Sequence, residues 1–75
     1  MPTLWRSGNV CVRLFDRDHH PPHVHIWTPD GDMQIALSDC SIIRGNIRTR
    51  DYELAMLWIR DNIEVLRQEW THRND

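Results

Sequence analysis

Four of the five histidines fall within seven residues, in the run Asp18-His19-His20-Pro21-Pro22-His23-Val24-His25, with Asp16 and Arg17 just before it. Clustered imidazoles offer two kinds of chemistry. In one, they move protons near neutral pH: His23 and His25 act as general acid and base, His19 stands beside them, and Arg13 or Arg17 stabilises charge developing on a phosphate. In the other, His23 and His25, two apart on a strand, point the same way, and His19 or His20 folds over them from the loop. That gives a three-nitrogen site with an open position, suited to zinc or another divalent ion. A plainer account has the imidazoles only capping turns. Standard zinc-finger spacing and an HExxH helix are both absent, so the expectation is a metal-free site of His23, His25, His19 and Arg13, with metal on His19, His23 and His25 as the alternative.

These groups need a scaffold. Val10 to Phe15 is rich in β-formers and bounded by Gly8-Asn9 and Asp16, so it reads as a strand. The stretch from Asp16 to Pro22 is charged and stiffened by two prolines, which cannot donate ladder hydrogen bonds. His23 to Trp27 alternates as a second strand, Pro29-Asp30-Gly31-Asp32 signals a turn, and Met33 to Leu37 alternates as a third. Ser41 to Arg44 is a short fourth strand, ended by Gly45-Asn46.

The last third is helical. Tyr52, Ala55, Met56, Ile59, Ile63, Leu66 and Trp70 recur at three- and four-residue steps and make one apolar stripe. Thr49 is the expected N-cap, with Asp51 and Glu53 in the first turn, and a helix from about Arg50 to Trp70 would be roughly 30 Å long. Asp61-Asn62 has weak propensity and marks a break point. The expected architecture is a single α+β domain over residues 1–75: a small antiparallel sheet of three to four strands, packed on one face by a long C-terminal helix. Alternation places Val24, Ile26, Met33, Ile35 and Leu37 toward that helix. It places His23, His25 and Trp27 on the opposite face, where no second helix covers them and both histidines stay at least partly accessible.

Other residues extend the candidate site. Arg17, Asp18 and His20 belong to the loop, and Trp27 shares the histidine face, where it suits base stacking or a protein interface. Arg48 and Arg50, just before the helix, would add positive charge where free amides favour anions. Arg67 falls on the solvent side of the helix. All nine basic residues are Arg, yet the net charge is −2, which argues against nucleic-acid binding by bulk charge. Cys11 and Cys40 lack redox or metal spacing and read as reduced, partly buried thiols. No Ser-His-Asp pattern, Gly-rich phosphate loop or paired glutamates appears. With no apolar leader and no run of about 18 apolar residues, the expected location is the cytoplasm and no membrane contact is expected. A chain of 75 residues has a thin core, so self-association is a natural source of stability.

The histidine run also resembles the D-H-x-P-P-H-V/F-H signature of a small bacterial family, domain of unknown function 4160, with His20 at its variable position. The likeness extends to the Met1-Pro2-Thr3 start, the Asp30-Gly31 turn, Gly45 before the helix, and Glu69-Trp70 at its end. It implies a short bacterial protein of the toxin–antitoxin type, encoded beside a cognate small antitoxin-like partner. Asp18, His19, Pro21, Pro22, His23 and His25 are its signature positions here. With the residue chemistry, the working expectation is a small toxin-type protein that cleaves RNA through histidine acid–base chemistry. The alternatives are a metal-binding module and a non-catalytic interaction domain.

Overall fold

Gly8 and Asn9 separate two runs of β-formers, and in the computed structural model, which describes residues 3–74, the chain turns back there. β1 (Thr3–Ser7) and β2 (Val10–Arg13) form a hairpin with Ser7 opposite Val10. Gly8, at φ 58, takes the left-handed conformation that a two-residue hairpin turn needs. β3 (His23–Thr28), β4 (Gly31–Ala36) and β5 (Ile42–Gly45) follow, and the sheet runs β1-β2-β3-β4-β5 with every pair antiparallel. The sheet therefore has five strands rather than three to four. The additional one is β1, whose short Leu4-Trp5 apolar core carries little signal apart from the turn that follows it. The Met1-Pro2 start of the family likeness lies outside the described residues.

The β3–β4 turn is tied by Thr28, whose hydroxyl donates to the Gly31 carbonyl at 3.0 Å and accepts the Asp30 amide at 3.2 Å. At β4–β5, Gly45 has φ 96, and a Cβ there would stand 2.3 Å from the Asp32 carbonyl oxygen. Only glycine lets β5 approach β4 this closely.

The helical third is two helices, α1 (Thr49–Asp61) and α2 (Ile63–Asn74), not a single long one. Asn62 makes the break. Its backbone N–H reaches the carbonyls of Trp58 and Ile59, and its side-chain amide donates to Trp58 O at 2.9 Å, which closes α1. Its own carbonyl then accepts the Leu66 amide at 3.0 Å and opens α2. The start of α1 also differs from expectation: Arg48, not Thr49, is the cap residue, with extended backbone and no side-chain cap bond. Its carbonyl accepts the Tyr52 N–H at 2.9 Å.

The stripe still packs as one surface across the break. Ala55, Met56, Ile59, Leu66 and Trp70 join Val10, Val12, Leu14, Val24, Ile26, Met33, Ile35 and Leu37 in a single buried cluster. Each large aliphatic side chain in it gains about 1.5–3 kcal/mol from burial. Trp5 stacks on Trp58 with ring centroids 5.7 Å apart, closing the β1 edge of that layer. Cys11 and Cys40 are free thiols, buried and half-buried. No helix is long and apolar enough to cross a membrane among the described residues.

Candidate metal centre

Strand alternation sends His23 and His25 away from the helices, and their rings lie side by side with centroids 4.8 Å apart. Both meet the same oxygen: Asp18 Oδ2 stands 3.0 Å from His23 Nε2 and 3.0 Å from His25 Nε2. The carboxylate is held in place through its other oxygen, which accepts the His19 amide at 2.9 Å and lies 3.1 Å from His19 Nδ1.

One sequence expectation fails here. His23 is 1% exposed rather than accessible. The Asp18–Pro21 loop covers it. His23 Nδ1 lies 2.7 Å from the Pro21 carbonyl, Asp18 meets its other nitrogen, and the His19 ring packs against it at 5.1 Å. The loop is anchored from the far end of the chain. The Asn74 side chain accepts the Asp18 amide and donates to Phe15 O at 3.3 Å, and Arg73 donates to Asp16 at 3.1 Å. Phe15 then sets its ring edge-on to His25 at 4.6 Å.

The two histidines differ in their bonding. Pro21 O can only accept, so His23 Nδ1 carries the proton and a neutral ring presents a bare lone pair at Nε2. That nitrogen is fully buried, and although Asp18 Oδ2 is at hydrogen-bond distance, the direction is wrong and no hydrogen bond forms. An unpartnered buried acceptor costs about 1–3 kcal/mol. His25 Nε2, by contrast, does hydrogen-bond Asp18 Oδ2. Burial raises the Asp18 pKa, but the His25 hydrogen bond, the His19 amide and the attraction of His23 and His25 in their protonated forms outweigh it, so the carboxyl titrates below its ordinary value.

The donor set fits a metal ion. The three donor atoms of Asp18, His23 and His25 lie within 4.8 Å of one another. Ligands about 2.0–2.2 Å from one ion sit roughly 3.0–3.4 Å apart when octahedral or tetrahedral neighbours, and both Asp18–His spacings match. A His whose second nitrogen donates to a backbone carbonyl has the outer support that metal-bound imidazoles ordinarily have. Side-chain exposures of 0%, 13% and 16% for His23, Asp18 and His25 make a site buried on the His23 side and partly accessible at Asp18 and His25.

The remaining predicted residues divide. His19 sits over the site with its side chain 72% exposed and touches Asp18 through Nδ1. Asp18, expected as a binding residue, supplies the third donor instead. Arg13 lies opposite His25 on β2, its guanidinium 5.0 Å from the Trp27 ring, and both belong to the histidine face. His20 turns away and packs edge-on against Trp70 at 4.9 Å. Arg17, at φ 56, lines a separate shallow cleft with Asp16, Glu69, His72 and Arg73. Arg48 and Arg50 line a groove at the other end of β3, where Arg48 lies 3.4 Å from Asp30, so they do not extend the histidine site. Arg67 is no idle surface residue: it donates to Leu37 O at 2.8 Å and to Ser38 O at 3.1 Å. Sequence reading gave no sign of Asn74 or Arg73, because a terminal Asn and an Arg look like ordinary helix-end residues.

No curated protein and no solved structure matches the chain. The family model described as Domain of unknown function (DUF4160) matches residues 10–71 of the 75-residue chain, and the protein belongs to that family.

Proposed function

We propose that the protein is a divalent-metal protein whose centre is held by Asp18, His23 and His25, with coordination positions left open toward His25 for water and substrate. The observation that carries this reading is His23 Nε2: buried, without a hydrogen-bond partner, and 3.0 Å from a carboxylate oxygen that also meets His25. An ion between the three donors satisfies all of them at once.

Two imidazoles and a carboxylate suit first-row divalent ions, zinc among them, and three protein ligands with an open position is the arrangement of catalytic rather than structural sites. A bound ion would supply Lewis acidity and a water acidified toward neutrality. The chain's own residues do the rest. Pro21 fixes the His23 tautomer, the His19 amide orients the Asp18 carboxylate, and Phe15 holds the His25 ring. His19, exposed and in contact with Asp18, would pass protons between the site and solvent. This reading replaces the acid–base pair of His23 and His25. A buried ring whose Nδ1 is bonded to a carbonyl and whose Nε2 faces a carboxylate has no route to a substrate proton.

Metal analysis and Co²⁺ titration test the proposal. The parent chain should bind about one ion, with the visible absorption of a nitrogen- and oxygen-ligated cobalt centre. Asp18→Asn and His25→Ala, both at partly exposed positions, should fold and lose that absorption. Parent-like cobalt binding in both variants would sink the proposal.

A further inference from the structure

The register assigns a face to every residue around the centre. Directly across the sheet from one another lie Arg13, His25, Gln34 and Arg44, on β2, β3, β4 and β5. The adjacent row on the same face is Arg6, Cys11, Trp27 and Asp32. This face thus carries three guanidinium groups against one carboxylate, apart from Asp18 itself, in a chain whose net charge is −2. The imbalance is possible because Asp51, Glu53, Asp61, Glu64 and Glu69 all lie on the helices, on the other side of the sheet.

The three guanidinium groups are also uncommitted. Among the described residues, Arg6, Arg13 and Arg44 have no carboxylate within ion-pair distance, whereas Arg48, Arg67 and Arg73 do. Arg13 Nε is buried without a hydrogen-bond partner, and its guanidinium lies over the indole of Trp27, which is 39% exposed. Strand spacing puts the Arg13 and Arg44 backbones roughly 14 Å apart, with His25 between them.

We infer that this face binds a single-stranded polynucleotide, laid across the sheet so that Arg13 and Arg44 contact its phosphates, Trp27 stacks an unpaired base, and a phosphodiester lies beside His25. This names the substrate class of the proposed metal centre and rests on that reading for the role of the phosphate next to the ion. Charge complementarity selects a polyanion. The exposed indole with its Arg neighbour selects one with accessible bases, since the bases of a duplex are already stacked on each other. A protein partner fits less well, because Trp27 is the one large exposed apolar residue in these two rows.

Fluorescence anisotropy with labelled 12-residue RNA and DNA oligonucleotides, single-stranded and duplex, tests this, with heparin as a polyanion lacking bases. The protein is the full chain, with and without Co²⁺. Single strands should bind tighter than duplex and displace heparin. Affinity should fall steeply with salt, and the salt slope should drop by about one for each of Arg13→Ala and Arg44→Ala. Trp27→Ala should weaken single-strand binding roughly 5- to 100-fold while leaving the salt slope in place. All three variants should keep the cobalt absorption of the parent. Preference for RNA over DNA, or the reverse, supports the proposal and identifies the sugar. No single-strand binding, equal affinity for duplex or heparin, or parent-like binding by the Arg13→Ala/Arg44→Ala double variant would overturn it. Salt-dependent strand binding in a chain that binds no cobalt would leave this inference standing and remove the metal reading alone.

Discussion

Asn74, in the last turn of α2, accepts a hydrogen bond from the backbone N–H of Asp18, 56 residues earlier in the chain. The same side chain donates to Phe15 O at 3.3 Å and to Trp70 O at 3.0 Å, so one amide ties both ends of the Phe15–Asp18 segment to the helix. The Asp18 carboxylate is therefore positioned by the helical layer, although the two histidines it meets lie on the opposite face of the sheet.

Asn74 is accordingly a positioning residue for the centre. Asn74→Ala should lower metal affinity roughly 10- to 100-fold, as loss of an outer-sphere support does elsewhere. Stability of the metal-free chain should fall by only about 1 kcal/mol, the worth of an ordinary hydrogen bond. Calorimetric metal titration beside denaturant unfolding in chelator separates the two. Equal affinity in parent and variant would show that the loop holds Asp18 without help.

Arg67 makes the complementary prediction. It bonds the Leu37 and Ser38 carbonyls where the chain leaves β4, beside Pro22, and pairs with Glu64 rather than with Asp18. Arg67→Ala should destabilise the fold by about 1–2 kcal/mol, since two carbonyls lose a charged donor. Metal affinity should not change. A lower midpoint in urea with the cobalt absorption retained is the expected pair of results.

These two residues show what the sequence could and could not reveal. Alternation in His23-Val24-His25-Ile26-Trp27 was enough to put Val24 and Ile26 in the core and the histidines on the other face, because a strand's side-chain period is fixed by its backbone. The apolar stripe from Tyr52 to Trp70 was legible for the same reason. It was not enough to show that His23 is buried, because the cover is an irregular loop held by Asn74, and no local pattern links positions 18 and 74. The grouping of Asp18 with His23 and His25 depended on that loop as well. The first strand was missed although Gly8-Asn9 is a hairpin signal, since Thr3-Leu4-Trp5-Arg6-Ser7 is short and half polar. Arg48 and Arg50 are distant from the histidines for a topological reason: β5 runs antiparallel to β4 and carries the chain to the opposite end of β3.

Gly45 joins the edge strand to its neighbour. At φ 96, with a Cβ position 2.3 Å from Asp32 O and 2.7 Å from Met33 Cα, an alanine there meets backbone that cannot swing aside. Gly45→Ala should cost about 2–4 kcal/mol from strain and displacement of β5 together. In a domain of this size that is a large part of the total stability. Gly8→Ala is the control: its φ of 58 is also positive, but nothing lies within 4 Å of the added Cβ. Its cost should be about 1 kcal/mol, the penalty of the left-handed conformation alone. Denaturant midpoints for the two variants should differ in that order, and equal midpoints would mean β5 tolerates the shift.

Metal removal offers the most direct readout of the centre. The three donors converge only when the Asp18 loop is folded over β3, so the unfolded chain has no comparable site. An ion that binds the folded state alone stabilises it by about 2.7 kcal/mol at a free concentration one hundred times Kd. A domain of this length shifts its melting temperature by roughly 4–8 °C per kcal/mol, so saturating metal should raise Tm by about 10–20 °C. Excess chelator should reverse the rise, and Asp18→Asn should melt at one temperature with or without metal. The rise should also scale with the logarithm of free metal concentration, which distinguishes site binding from a general salt effect. A Tm that responds equally to Zn²⁺ and to the same ionic strength of Na⁺ would leave Asp18 as a carboxylate that only hydrogen-bonds His25.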